Sequence, residues 1–347
     1  MDPNMKRVFF ALSLLGTLGL ARSAGAETEP ARSPVVAERA REPLPSLARV
    51  IALARERAPS VVVGRAELGV ARSAFSGARL APVTNPSVSV LFDKGTMRAT
   101  KDVTVSGTLV LPVEVSGQRS TRIAEAEALV DLQSAELESK KALATAEAVR
   151  LYGVVAESAE RKRVLDGIVA VAGREAEVYR ARLSSGDATE TDAQLARVEL
   201  AKNVVLAREA RADLERALAE LERLVGKRFE APDGAAVEPP PPARLAVAAG
   251  SPASSPFVRA LEKEAAYHAK AKERASREAF APLDFIITAG RGDLGEARFG
   301  GGLAWSLPVA RRNQAEQARA DASRVRADVE KEQRSRFVAL ALSALAQ

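Results

Sequence analysis

The sequence predicts a mainly α chain with a small β part, built twice on one plan. Three observations carry this. Residues 113–231, 119 in all, contain no Pro and hold apolar side chains at the 3/4 spacing of a helical seam. Residues 86–112 and 282–308 alternate apolar and polar side chains with period 2, the pattern of strands. The second half then repeats the first at a fixed offset of 196 residues.

Composition narrows the function classes. The chain has 347 residues, no Cys, one His, 4% aromatic residues, and 51 basic against 45 acidic side chains. Without Cys there is no disulfide framework, thiol nucleophile or Cys-based zinc site. One His makes no multi-histidine metal centre. Small apolar residues, Ala and Val above all, suit helices that pack closely along their length.

Lys6 and Arg7 precede Val8–Leu20, an uncharged, mostly apolar run, and Ala24-Gly25-Ala26 follows. That order reads as a secretory signal peptide, residues 1–26, cut after Ala26. The run falls short of the ~20 residues that span a bilayer as a helix. No Cys follows it, so no lipid attaches there. Losing Asp2, Lys6, Arg7 and Arg22 takes the net charge from +6 to +4. The remaining charges alternate in sign along predicted helices, as on solvated faces. With few aromatic residues for stacking and an exported chain, nucleic-acid binding is not expected.

After an N-terminal lead over 27–46, a first unit spans 47–230. It opens with a helix over 47–80, broken or kinked at Pro59. A β-hairpin over 86–112 follows, with Asp93-Lys94-Gly95-Thr96 as its turn. Val103, Val105, Leu109 and Leu111 share one face, and Asp102, Thr104, Ser106 and Thr108 the other. Then comes a helical hairpin over 118–227. Ile123, Val130, Leu137, Ala144, Leu151, Ser158, Leu165, Ala172 and Tyr179 recur at a heptad spacing. A helix from 119 to 183 would be ~95 Å long at 1.5 Å per residue. It stops at Ser184-Ser185-Gly186-Asp187, and Thr189 with Asp192 forms a capping box for the returning helix, which ends at Gly226.

Residues 231–256, with Pro239–Pro242, read as a stiff linker. The second unit, 257–347, repeats helix, β-hairpin and helix. Pro86 maps to Pro282, Leu111-Pro112-Val113 to Leu307-Pro308-Val309, and Gln118 to Gln314. Val103 maps to Phe299 and Leu109 to Trp305. Gly290–Gly295 matches G-x-G-x-x-G but precedes a strand rather than a helix, so it reads as a hairpin loop and not a dinucleotide site. His268 has no Ser or Asp arranged around it. The carboxylates stand beside Lys and Arg at i,i+3 and i,i+4, with no acid/base couple. No catalytic residue, cofactor site or metal site is expected.

Several stretches together resemble the outer-membrane efflux protein family, the TolC-like channels. They are Leu47–Ala54 with Ala58-Pro59 (where the family commonly has Asn before the Pro), Asn85-Pro86, Leu111–Arg119, Arg182-x-x-x-Gly186 with Asp192, and Leu221-x-x-Leu224-Val225-Gly226. The resemblance implies a homotrimer whose protomers each give four strands to a 12-stranded outer-membrane β-barrel, with an α-barrel of helices crossing the periplasm. It implies conduction from an inner-membrane pump through a periplasmic adaptor to the exterior. Leu183, Ser184, Ser185, Gly186 and Asp187 would meet the adaptor, and Val103, Leu109, Phe299 and Trp305 would face outer-membrane lipid. Gly117-Gln118-Arg119 is similar to the branch serving metal-cation pumps. A periplasmic adaptor subunit and a structural periplasmic coiled coil are the alternatives, but neither needs two matched strand pairs. The second helical hairpin is expected to lack its return helix, leaving Ala318, Ala322, Val325, Val329, Phe337 and Leu340 uncovered. On that reading the chain is C-terminally truncated and assembles no tight conducting trimer.

Overall fold

A computed structural model describes residues 41–80, 84–97, 100–232, 252–292 and 296–345. The expected signal peptide and most of the expected linker lie outside the described residues. The described elements run α1 (Leu47–Arg57), α2 (Pro59–Ala78), β1 (Ser87–Met97), β2 (Thr100–Val113), α3 (Gln118–Ser185), α4 (Glu190–Val225), α5 (Pro256–Arg277), β3 (Leu283–Arg291), β4 (Ala297–Trp305) and α6 (Gln314–Leu345). A 3-10 turn, Pro252–Ser254, leads into α5. The sequence offset is visible in the structure: β1 and β3 start at 87 and 283, and α3 and α6 at 118 and 314.

Each boundary has a local cause. Ala58 takes ψ 136, the extended backbone that a following Pro imposes, and Pro59 opens α2. At the end of α3, the Gly186 amide donates to the Leu183 carbonyl at 3.2 Å and the Asp187 amide to the Arg182 carbonyl at 2.8 Å. This is the paired closure of a left-handed helix stop, and Gly186 supplies it with φ 81. The Asp192 amide donates to Thr189 Oγ1 at 3.2 Å, and the Thr189 amide donates to Asp192 Oδ2 at 3.1 Å, so the capping box is complete.

The α3–α4 hairpin carries the main core. Along the heptad register of α3, Leu137, Ala144, Leu151 and Ala172 are buried, as are the interleaved Ala126, Ala148 and Val155, while Ser134 is exposed. Leu137, Ala144, Ala148, Leu151 and Val155 pack with Leu214, Leu218, Leu221 and Val225 of α4 and with Val50 and Leu53 of α1. Ala at many of these positions lets the helix axes approach closely. Phe229 plugs the base of the hairpin. There Glu42 forms a parallel bridge with Phe229, and Lys227 pairs with the Glu42 carboxylate at 2.8 Å.

The four strands form one antiparallel sheet in the order β1-β2-β3-β4. Two sequence expectations are corrected here. Asp93–Thr96 is not a turn: β1 runs on to Met97, which pairs with Thr100 of β2. Gly290 and Arg291 are not loop: they belong to β3 and pair with Arg298 and Ala297. In both cases ladder pairing with the neighbouring strand outweighs local turn composition.

The uncovered face of α6 needs a correction of a different kind. Ala318, Ala322, Val325, Val329, Phe337 and Leu340 are all exposed. Their first-repeat counterparts divide: Ala144, the counterpart of Leu340, packs in the core shared with the return helix α4, but the three nearest the sheet lie against α2. Arg122, Ala126 and Leu129 correspond to Ala318, Ala322 and Val325, and they lie beside Ala74, Gly77 and Ala78 of α2. Farther down, Leu137 and Lys140 crowd Gly64 of α2. The sheet-proximal part of the face, from Ala318 to Val325, is therefore shaped for a helix of the α2 kind.

Candidate functional site

The sheet has two chemically distinct faces, fixed by register. Directly paired residues point to the same side. One transverse row reads Val88, Leu109, Ile287, Gly301, and the next reads Val90, Gly107, Ala289, Phe299. Toward the helices the same face adds Leu111, Phe285 and Leu303, then Val113, Leu283 and Trp305; at the far end its four-strand rows close with Phe92, Val105, Arg291 and Ala297, so the charge of Arg291 lies away from the helices. The opposite face carries Ser87, Ser89, Thr104, Ser106, Thr108, Asp284, Thr288, Gly300 and Gly302, interrupted by Leu91, Val110 and Ile286. The apolar side is open: Phe299 is 83% exposed and Val88 73%. The outer edges of β1 and β4 have no partner strand among the described residues. Such a sheet buries neither its apolar face nor its edges within the chain.

The second surface is the hairpin tip. With 68 residues, α3 is roughly 100 Å long at 1.5 Å per residue. Leu183 is half-buried at its end, while Ser184, Ser185, Gly186 and Asp187 are exposed. The hydroxyls of Ser184 and Ser185 are turned inward: Ser184 Oγ donates to the Ala181 carbonyl at 2.6 Å and Ser185 Oγ to the Arg182 carbonyl at 3.0 Å. A Cβ at Gly186 would meet nothing within 4 Å, so the backbone there is accessible from outside.

A junction ties the helices to the sheet. Gln118 is buried; its Nε2 donates to the Phe280 carbonyl at 2.8 Å, and its Oε1 accepts from the Ser116 amide at 3.0 Å. The counterpart Gln314 repeats the local half of this, accepting from the Arg312 amide at 2.9 Å. Arg122 pairs with Glu114 at 2.7 Å and donates to the Ala78 and Leu80 carbonyls at 3.1 and 3.0 Å. Between the repeats, Arg274 of α5 is ion-paired to Glu125 of α3 and to Glu278.

Burial sets the titration of this region. Burial, only partly offset by Arg274, pushes the Glu125 carboxyl above the usual glutamate range, with Glu278 and Glu316 adding like-charge repulsion. Glu136 is raised for the same first reason, with Lys140 opposing. A carboxyl raised in the native state binds more protons folded than unfolded just above the ordinary value of 4.5, so its contribution to stability falls as pH rises there. The double substitution Glu125→Gln and Glu136→Gln is expected to flatten the decline in melting temperature over the pH interval just above 4.5. An unchanged slope in a pH series of thermal scans counts against this assignment.

The sequence profile named "Outer membrane efflux protein" matches residues 50–227, just over half of the chain. The chain belongs to this family. The match closes at the end of the α3–α4 hairpin, and the second unit continues the same plan. The chain is thus an efflux protein of the outer membrane. Among curated proteins it is 28% identical over 224 residues to the cobalt-zinc-cadmium resistance protein CzcC of Cupriavidus metallidurans. That match covers 64% of this chain and 52% of the relative, so the chain spans about half the length of the curated relative it matches. Two solved structures have the same fold. A membrane protein from Pseudomonas aeruginosa has a TM-score of 0.65 at 16% identity, covering 86% of this chain and 76% of that one. The Campylobacter jejuni CmeC outer membrane channel has 0.64 at 15% identity, covering 86% and 70%.

Within this efflux-protein fold, the structure gathers the candidate residues into two distant groups. Leu109, Phe299 and Trp305 lie on the one apolar face, and Trp305 Nε1 donates to the Ala281 carbonyl at 3.1 Å. Val103 pairs in register with Lys94, in the same set of rows; its side chain lies outside the described residues. Leu183–Asp187 sit at the other end, across the length of α3. Among the described residues no group of His, Asp and Glu could hold a metal ion. Sequence reasoning missed the Arg274–Glu125–Glu278 cluster, whose helices are far apart in the chain and carry no spacing signal. It used Gln118 as a landmark but not as the bridge between repeats; its recurrence at Gln314 was the available clue.

Proposed function

We propose that the protein is the outer-membrane channel of a tripartite efflux assembly, a homotrimer that conducts substrate from an inner-membrane pump and a periplasmic adaptor to the exterior. The observation that carries this is the open sheet with one apolar face, one hydroxyl-rich face and two free edges. In lipid every backbone polar group needs a partner, so four strands alone cannot span. Pairing β4 of one copy with β1 of the next removes every edge, and three copies give a 12-stranded barrel with Val103, Leu109, Phe299 and Trp305 toward lipid and the Ser/Thr face toward water.

The helices support the same head-to-tail closure. The sheet-proximal part of the free face of α6 takes an α2-type helix, which the next copy supplies. Gln118 bonds across the repeat boundary to Phe280, whereas Gln314 Nε2 falls back on its own Ala310 carbonyl at 3.1 Å. A closed ring gives Gln314 the equivalent acceptor, the carbonyl of Thr84 in the next copy. The tip, Leu183–Asp187, docks the adaptor. We assign divalent metal cations as the cargo class, on the name of the matched relative and the Gly117-Gln118-Arg119 transition.

The test is fractionation and crosslinking of the protein from its own cells, followed by planar-bilayer recording of the purified oligomer. A trimer in the outer-membrane fraction that gives conductance steps is expected, and it would set aside the expectation, drawn from the uncovered α6 seam, that no tight conducting trimer forms. A periplasmic monomer without conductance would mean an adaptor or a structural coiled coil instead. Deletion should sensitise cells to zinc, cobalt or cadmium; sensitivity to organic dyes alone would overturn the cargo assignment.

A further inference from the structure

The ends of four helices meet in one rim directly below the sheet. Arg119 Nη2 donates to the Arg79 carbonyl at 2.9 Å, joining the start of α3 to the end of α2. Gln118 joins the start of α3 to the end of α5, and Asn313 Nδ2 joins the start of α6 to α5 through the Ala275 carbonyl at 3.2 Å. Five arginines stand on this rim with exposed side chains: Arg79, Arg119, Arg277, Arg311 and Arg312. Two rim carboxylates, Glu114 and Glu278, are already ion-paired by Arg122 and Arg274. Glu316 lies by Asn313, and Asp284 sits on the polar face of the sheet. The guanidinium groups of Arg277 and Arg311 have no hydrogen-bond or ion-pair partner among the described residues.

Apolar surface continues down to these charges. Leu307 is 61% exposed and Val309 78%. They are the repeat counterparts of Leu111 and Val113, which lie in the apolar rows of β2. The short segment Leu307–Arg312 thus passes from the apolar face to paired cations.

We propose that this arginine rim binds the phosphates of anionic phospholipids in the periplasmic leaflet, with Leu307 and Val309 among the acyl chains and Arg277, Arg311 and Arg312 at headgroup level. The inference rests on the membrane reading of the sheet above. Its basis is charge complementarity at the border of an exposed apolar band. Arginine lays its stem along apolar surface while its planar fork meets phosphate two bonds at a time. Near an anionic bilayer surface each such cation favours binding by about fivefold.

Trp305, the single Trp of the chain, lies on this border and reports on it. The purified protein is reconstituted in bilayers with a fixed fraction of phosphatidylcholine or phosphatidylglycerol brominated on its acyl chains, and Trp305 fluorescence is read. Brominated phosphatidylglycerol is expected to quench with an apparent affinity about fivefold or more above that of brominated phosphatidylcholine. The preference should shrink as salt is raised, since these charges are exposed. In Arg277→Gln/Arg311→Gln/Arg312→Gln the ratio should fall to near one, with quenching by phosphatidylcholine intact and the far-ultraviolet spectrum unchanged. A ratio of one in the wild type overturns the proposal, and so does a ratio that survives the triple substitution or ignores salt. Absence of quenching by either lipid overturns instead the membrane reading on which it rests. If the triple variant fails to fold, the single Arg311→Gln variant and the wild-type salt series decide.

Discussion

Leu109→Arg is expected to remove the protein from the outer membrane, whereas Thr108→Arg leaves it there. Leu109 pairs with Val88 and Ile287 in the row at the middle of β3, so its side belongs to the apolar face at mid-height of the sheet. An Arg facing lipid at the midplane of a barrel costs roughly 2–4 kcal/mol. The cost recurs in every copy of a ring and is comparable to a large fraction of ordinary domain stability. Thr108 is the adjacent residue and points the other way, in the row of Ser89 and Thr288, where a wet lumen accepts a charge. Outer-membrane fractionation of both variants, with the helical signal by circular dichroism as a folding control, separates the two faces. Equal recovery of the two variants would sink the assignment of Leu109, Phe299 and Trp305 to lipid.

The second large effect is at the hairpin tip. If the tip docks the adaptor as proposed, Gly186→Val is expected to abolish that complex while leaving export and the helical core intact. Gly186 holds φ 81, a conformation that a β-branched residue adopts only with strain of roughly 1–2 kcal/mol. The tip responds by shifting its backbone, and the exposed surface of Ser184–Asp187 moves with it. The core is spared, because Leu214, Leu221 and Val155 lie far down the hairpin from the tip. Site-specific crosslinking to the adaptor should fall at least tenfold, about 1.4 kcal/mol of docking energy. Crosslinking at the wild-type level would mean that the tip is a helix stop and nothing more.

Much of this architecture is legible in the sequence because its signals are local or periodic. The heptad register of α3 reads directly because the period of a helix brings every third or fourth side chain to one stripe, and Leu137, Leu151 and Val155 are buried along it. Gly186 and the Thr189–Asp192 pair read directly because helix ends are closed by the residues beside them. The Asp93–Thr96 turn misled for the converse reason: its composition is turn-like, but the ladder opposite Lys101–Thr104 continues past it. The apolar and polar faces of β2 were visible as alternation, yet alternation alone cannot say which strand lies next to which.

By itself, then, the sequence determined the elements, their duplication at a constant offset, the hairpin tip and the division of the strands into two faces. Each of these depends on contacts between near neighbours or on a period along one chain. The tertiary structure decided what requires two distant segments to meet. It set the order β1-β2-β3-β4 and the free edges at β1 and β4. It brought Glu125 to Arg274 and Gln118 to the Phe280 carbonyl. It showed that the sheet-proximal part of the open face of α6, Ala318 to Val325, corresponds to the side of α3 beside α2. A side chain's partner from the other repeat depends on how whole helices pack, and no spacing in the chain encodes that.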